Sequence, residues 1–315
     1  MSYSALSESF ISDVISQSVG VSYPAIKASQ IVNIKIPIPS YAEQVAIASY
    51  LEAKCAKIDN VLSVQQKRIE LLKELKQSII TNAVTKGLKK NVELKPSGVE
   101  WIGDIPKTWT VMKLDFACNV ITDFVASGSF ADLRKNVEYL DEPDYAMLVR
   151  TADLSQKNMN IARVYVSKHS YDFLKNSNLV GGEIILPNIG ASIGDVYMVP
   201  PDLYDRMTLA PNSILLRTKY NDKFFYFYFS GKSGRESLEI IGQAAAQGKF
   251  NKTDLRQLKV VVPPLSEQEA IVVYLEKRCS AIESQISKIE RQIELLKEYK
   301  QSIITECVTG KRKVC

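Results

Sequence analysis

The sequence predicts an α+β protein: one mixed α/β domain plus two long helices that pair as an antiparallel coiled coil. Three observations predict it. A stretch of thirteen residues occurs twice, "IELLKELKQSIIT" from Ile69 and "IELLKEYKQSIIT" from Ile293, differing only at Leu75 and Tyr299. Both copies place apolar residues at alternating steps of three and four, the signature of a helical seam. Between them the composition shifts to short β-rich runs broken by Gly, Pro and Asn: "GGEIILPNIGASIGDVYMVPP", "NSILLRT" and "LKVVVPP".

Residues 1–40 come first and are part of the duplication. An offset of 224 positions, Ile69 to Ile293, also maps Met1 onto Phe225 and sets "YPAIKASQIVNIKIPIPSYAEQ" in the place of "QGKFNKTDLRQLKVVVPPLSEQ". This stretch therefore matches only the closing part of the middle domain, and a complete first domain would need over a hundred residues before Met1. About 40 residues bury too little surface for an independent core, so the stretch is expected to lean on the helices or on another chain.

Residues 41–88 form the first long helix. Its seam is Ile58, Leu62, Gln65, Ile69, Leu72, Lys76 and Ile79, and from Glu43 to Val84 it would run about 63 Å at 1.5 Å per residue. The second helix, residues 265–315 with a basic tail "GKRKV", repeats the seam as Ile282, Ile286, Ile289, Ile293, Leu296, Lys300 and Ile303. Lys76 and Lys300 interrupt the two seams at equivalent points, a device that fixes register. The helices are expected to fray near Gly87 and Gly310, and Ser266 with Glu269 has the spacing of a capping box. Residues 89–264 are the mixed domain. Its opening, "KPSGVEWIGDIPKTWTVMKL", suits a linker running into a first strand, and Gly190 and Gly194 mark a tight turn between strands.

Composition narrows the function. The chain has 315 residues, 46% of them apolar, and a net charge of +5, a mild basic bias compatible with nucleic acid. No run of about 18 apolar residues exists and "MSYSALSESF" is not a signal peptide, so the expectation is a cytoplasmic protein with no membrane partner. Cysteines 55, 118, 279, 307 and 315 lack metal-site spacing and read as reduced thiols. The only histidine, His169, has no neighbouring ligand. "SGKSG" at 230–234 fails as a phosphate loop because Tyr226 stands where the first glycine belongs, and "NKT" at 251 carries no meaning inside a cell. No nucleophile, metal or cofactor constellation remains, so the chain reads as a recognition or scaffold protein.

Several motifs resemble the specificity subunit of type I restriction-modification systems, over nearly the whole chain. "WIGDIPKTWTVMKL" resembles the start of a target recognition domain and "GGEIILPNIGASIGDVYMV" its central strand-turn-strand. "LAPNSILLRT" and "LRQLKVVVPPLSEQEAIVVYLEKR" resemble the next strand and the passage into the family's conserved helix. The resemblance implies a noncatalytic subunit of a phage-defence system, in which two recognition domains on an antiparallel helical pair each read half of a bipartite target in double-stranded DNA. It implies that the helices dock two methyltransferase subunits, that these rather than this chain bind S-adenosylmethionine, and that a separate motor-nuclease restriction subunit cleaves. Under it, residues 1–40 are the remnant of a first target recognition domain and 89–264 a complete one, and a second specificity chain becomes a further partner.

Base reading calls for polar side chains on loops, with cations on flanking phosphates. The candidates are Arg150 and Thr151 after a strand, Asn188 and Ser192 in the glycine turn, and Gln243, Gln247, Lys249, Asn251 and Lys252 before the last strand. Candidates for partner docking are the surface letters kept in both copies: Glu70, Lys73, Gln77 and Ser78, with mates Glu294, Lys297, Gln301 and Ser302. Their plainer reading is a solvated helix face with i,i+4 charge pairs. A coiled-coil adaptor, or a silent truncated cassette without DNA binding, stands as the alternative; salt-dependent duplex binding separates the two.

Overall fold

The computed structural model describes residues 2–20, 24–155, 162–243 and 248–314. Two helices dominate it, Tyr41–Lys86 and Leu265–Val308, and the chain forms two compact units, Met1–Glu74 with Ala281–Cys315, and Leu75–Ser280. The division falls inside the helices rather than at 88/89 and 264/265, because each helix buries its two halves in different company.

In the first unit Leu51, Cys55 and Ile58 pack with Ile303, Ile304 and Cys307. Numbering rises along one helix as it falls along the other: Arg312, just past the end of the second helix, lies beside Tyr50 near the start of the first, and Lys300 Nζ donates to both oxygens of Asp59 at 2.6 and 2.7 Å. The pair is antiparallel. Lys300 thus sits in the seam with its charge answered from the opposite helix. Ile58, Ile69, Ile282, Ile289 and Ile303 are buried and the other seam positions half-buried, as the three-four spacing requires. The helices stop where left-handed glycines follow, Gly87 at φ 74° and Gly310 at φ 76°.

The capping expectation at Ser266 is corrected. That residue lies inside the helix, whose first turn closes one step earlier: the Pro264 carbonyl accepts from the amides of Glu267 and Gln268. Pro263-Pro264 holds the approach extended, so the helix starts directly after it. In the first copy Ser40 replaces Pro264, and there a capping box does form: Ser40 N and Oγ donate to Glu43 Oε2 at 3.0 and 2.8 Å.

Residues 1–40 are anchored as the offset predicts. In the first unit Gln301 Nε2 donates to Leu6 O at 2.5 Å and Glu8 N to Thr305 Oγ1 at 2.9 Å. In the second unit Gln77 Nε2 donates to Ser230 O at 2.7 Å and Lys232 N to Thr81 Oγ1 at 2.9 Å. Every partner in one set is the mate of its counterpart in the other.

The second unit holds the mixed domain. An antiparallel sheet runs Tyr197–Met198, Ile184–Pro187, Ser213–Thr218, Cys118–Asp123. A five-stranded sheet runs Tyr139–Leu140, Tyr165–Val166, Ala146–Val149, Met207–Leu209, Asn178–Leu179, with Ala146–Val149 and Met207–Leu209 parallel. The closing strand Lys259–Val262 pairs antiparallel with Thr110–Lys113. Trp109, Phe224, Phe225, Tyr228 and Phe229 fill the largest core together with Ile80–Val84 and Ile271–Cys279 of the helices.

Candidate nucleic-acid interface

Two loops that the sequence leaves far apart meet at one end of the strands of the antiparallel sheet. Strand Ile184–Pro187 ends at Asn188, and the left-handed Gly190 (φ 68°) turns the chain into a short helical turn ending at Ser192. The loop before the closing strand returns alongside: Gly190 N donates to Gly248 O at 3.1 Å, Phe250 N to Asn188 O at 3.2 Å, and Asn188 Nδ2 to Phe250 O at 2.8 Å. Asn188 is therefore buried and committed to holding the two loops together. Lys249, bridged to Ile189, is left exposed.

A cleft of about 670 Å³ opens beside this junction, lined by Asn188, Lys249 and Asn251 and walled by Phe130, Arg134 and Tyr139. Asn251 caps the helix Lys252–Gln257 with its carbonyl, which accepts from Thr253 N at 2.7 Å and Asp254 N at 3.1 Å. Its amide nitrogen donates to nothing among the described residues, so it faces solvent as a free donor. Lys252 is tied to Asp123 at 2.8 Å. Phe130 (76% exposed) and Tyr139 (53%) offer ring faces to solvent, a combination of aromatic and cationic groups suited to nucleic acid. These two and Arg134 are not among the residues predicted from the sequence, although "SFADLRKNVEY" interleaves aromatic and basic letters.

The other predicted base readers lie elsewhere or are engaged. Arg150 precedes the short helix Thr151–Leu154, and its guanidinium is clamped by Asp153 at 2.7 and 3.0 Å and by Ala162 O at 2.7 Å. Thr151 is half-buried at the start of that helix; Ser192 and Gln243 are exposed. Gln247 lies outside the described residues. Of the docking candidates, Glu70, Lys73, Ser78, Glu294, Lys297 and Ser302 are exposed. Gln77 and Gln301 are the exceptions, since each is spent on a carbonyl of its own unit.

Among the described residues no three His, Cys, Asp or Glu side chains stand together as metal ligands. His169 is exposed beside Asn136. Burial pushes the Cys118 thiol up to about 12, which removes it as a nucleophile near neutral pH. Among the described residues no helix is long and apolar enough to cross a membrane.

With fold and cleft in place, comparison with known proteins assigns the class. The family described as type I restriction modification DNA specificity domain matches residues 2–74 and 106–295, and the chain belongs to that family. The type I restriction enzyme MjaVIII specificity subunit of Methanocaldococcus jannaschii is 26% identical over 98% of this chain and 68% of its own length. A MjaX sequence of the same organism is 28% identical over 93% of this chain, which spans only 63% of that relative. A chain from a structure addressing complex assembly and conformational transition of the type I R-M system superposes with a TM-score of 0.71 at 17% identity, covering 97% of this chain and 69% of its own. That superposition shows a shared fold, mixed helix and sheet as in this chain.

Proposed function

We propose that the chain is a noncatalytic, sequence-specific DNA-recognition subunit of a type I restriction-modification complex. The observation that carries this reading is the cleft in which Asn251, Lys249 and the Asn188 turn meet exposed Phe130, Tyr139 and Arg134. Lys249 and Arg134 would meet phosphates, and the free Asn251 amide would donate to a base acceptor. The single mixed α/β unit reads one half of a bipartite target. Equivalent exposed letters on the two helices, Glu70, Lys73 and Ser78 with Glu294, Lys297 and Ser302, support docking of two methyltransferase subunits, each bringing its own S-adenosylmethionine. A motor-nuclease subunit would join the same complex, in the cytoplasm.

The test is duplex binding by the chain with its methyltransferase, measured across salt concentrations. Lys249→Ala should weaken all sequences alike and reduce the log–log salt slope by about 1. Asn251→Ser keeps a cap but removes the amide, and should cost ~1–3 kcal/mol of discrimination at one base pair. Duplex binding that is absent, or that ignores both salt and these substitutions, refutes the reading.

A further inference from the structure

The cleft beside the Asn188 turn divides its lining by chemistry. Part of it is apolar and buried: Phe124 (4% exposed) and Leu133 (5%) belong to the core beneath, with Val137 packed half-buried against them. The cations of the cleft, Arg134 and Lys249, are exposed instead, and neither side chain is engaged in an ion pair among the described residues. Asp123 lines the same cleft, but Lys252 answers its carboxylate at 2.8 Å, so it does not cancel them. A phosphate laid on the Phe124 and Leu133 surface would lose its hydration and gain no counter-charge. A flat uncharged ring would gain by the same move. The cleft is thus suited to a nucleobase inside and its phosphates at the opening.

Phe130 is the side chain that would meet such a base. It is 76% exposed and is the first residue of the helix Phe130–Asn136. Ser129 caps that helix, donating from Oγ and N to Asp132 Oδ2 at 2.6 and 3.0 Å, and the Asp132 amide donates to Ser129 Oγ at 3.3 Å. At the other end Ser170 Oγ donates to the Asn136 carbonyl at 3.0 Å, while Leu133 is sunk in the core. The turn before the ring is tight, since a Cβ at Gly128 would meet Asp132 Cβ at 3.0 Å and the Phe173 ring at 3.2 Å. The backbone carrying Phe130 is therefore fixed from both sides. An exposed phenylalanine alone is ordinary. Here a second exposed ring, Tyr139, lines the same cleft, and Arg134 stands one helical turn from Phe130, on the same face. Fixed rings beside unpaired cations make a stacking platform for bases.

We propose that this cleft takes one nucleobase that has left the double-helical stack, lays it on the Phe130 ring, and meets the flanking phosphates with Arg134 and Lys249. The base is held there rather than altered. Paired and stacked bases present only their edges, so a ring reaches the face of a base only where the stack has opened. The inference rests on the DNA-recognition reading and adds to it the state of the DNA that the cleft favours.

The experiment uses the full chain with its methyltransferase and two labelled duplexes of one sequence, fully paired or carrying a single bulged thymine, and follows anisotropy. The bulged duplex should bind about five- to a hundredfold more tightly. Phe130→Ala should bring the two affinities together and Phe130→Tyr should keep them apart. Phe116→Ala, at a 63% exposed ring outside the cleft, should leave the difference unchanged. Both positions are exposed, so the fold survives these substitutions. With iododeoxyuridine as the bulged base, irradiation should cross-link it to Phe130 or Tyr139, located by mass spectrometry of the digested chain. Equal affinity of the parent for both duplexes, a preference that survives Phe130→Ala, or cross-links confined to residues outside the cleft would each overturn the inference. If the paired duplex is still bound in a salt-dependent way, the DNA-recognition reading outlives that failure; if neither duplex is bound, both fall.

Discussion

Residues 1–40 and 225–264 are one stretch of chain present twice, held to a long helix by the same two hydrogen bonds, yet only the later copy closes a core. The difference separates two kinds of information. Anchoring to the helix is local: a glutamine and a threonine one turn apart, Gln77 and Thr81 or Gln301 and Thr305, meet two backbone groups and need nothing further. Burial of the apolar alternation is not local, since Val260 reaches 0% exposure only because Val99–Lys113 lies over it.

The sharpest way to break this comparison is to charge both copies at the same point. Val260→Asp puts a carboxylate into a fully buried site and should cost more than about 4 kcal/mol, enough to unfold the second unit. Ile36→Asp, its half-buried mate in the first unit, should cost about 1 kcal/mol. Urea denaturation of the two variants decides; equal losses would mean that both copies are equally packed.

A second, smaller contrast lies on the seam. Ile69 is 3% exposed whereas its mate Ile293 is half-buried, so the internal symmetry is approximate at this pair. Ile69→Asp should cost about 3–5 kcal/mol and Ile293→Asp about half as much. Thermal melts that rank them in the reverse order would show that the seam is centred elsewhere.

Much of the architecture was legible because it is periodic or repeated. The heptad steps gave both helices, left-handed glycines mark their ends, and the run from Gly181 to Pro201 gave its strand-turn-strand. Pairings across long separations were not legible. Nothing in the letters says that Lys249 bridges Ile189, which is what joins two candidate loops into one cleft. Nor does the sequence show that Arg150 is claimed by Asp153 and Ala162 O, or that Gln77 and Gln301 point inward to carbonyls. Retention of a polar letter in both copies looks the same whether the partner is another protein or the chain itself. The cap at Ser266 failed for a local reason, because the helix starts at Leu265, directly after Pro264, which places the serine inside its first turn.

The finest contrast is at the helix starts, where Ser40 in one copy faces Pro264 in the other. Ser40 donates its hydroxyl and its amide to Glu43, and these hydrogen bonds hold the Glu43 carboxyl below the usual carboxylate range. A folded-state pKa that is depressed means that the contribution to stability is present above the unfolded value and lost as pH falls through the folded one. Ser40→Ala removes the hydroxyl and keeps the amide, so the Glu43 titration should move part of the way back toward its ordinary value. Pro264 has neither group to give, so the second copy offers no equivalent bond to remove. Carboxyl-carbon NMR titration of the parent and of Ser40→Ala measures the shift directly. A Glu43 curve that stays in place would mean that the amide alone sets it, and that the serine at this start of the repeat is a steric rather than an electrostatic difference between the copies.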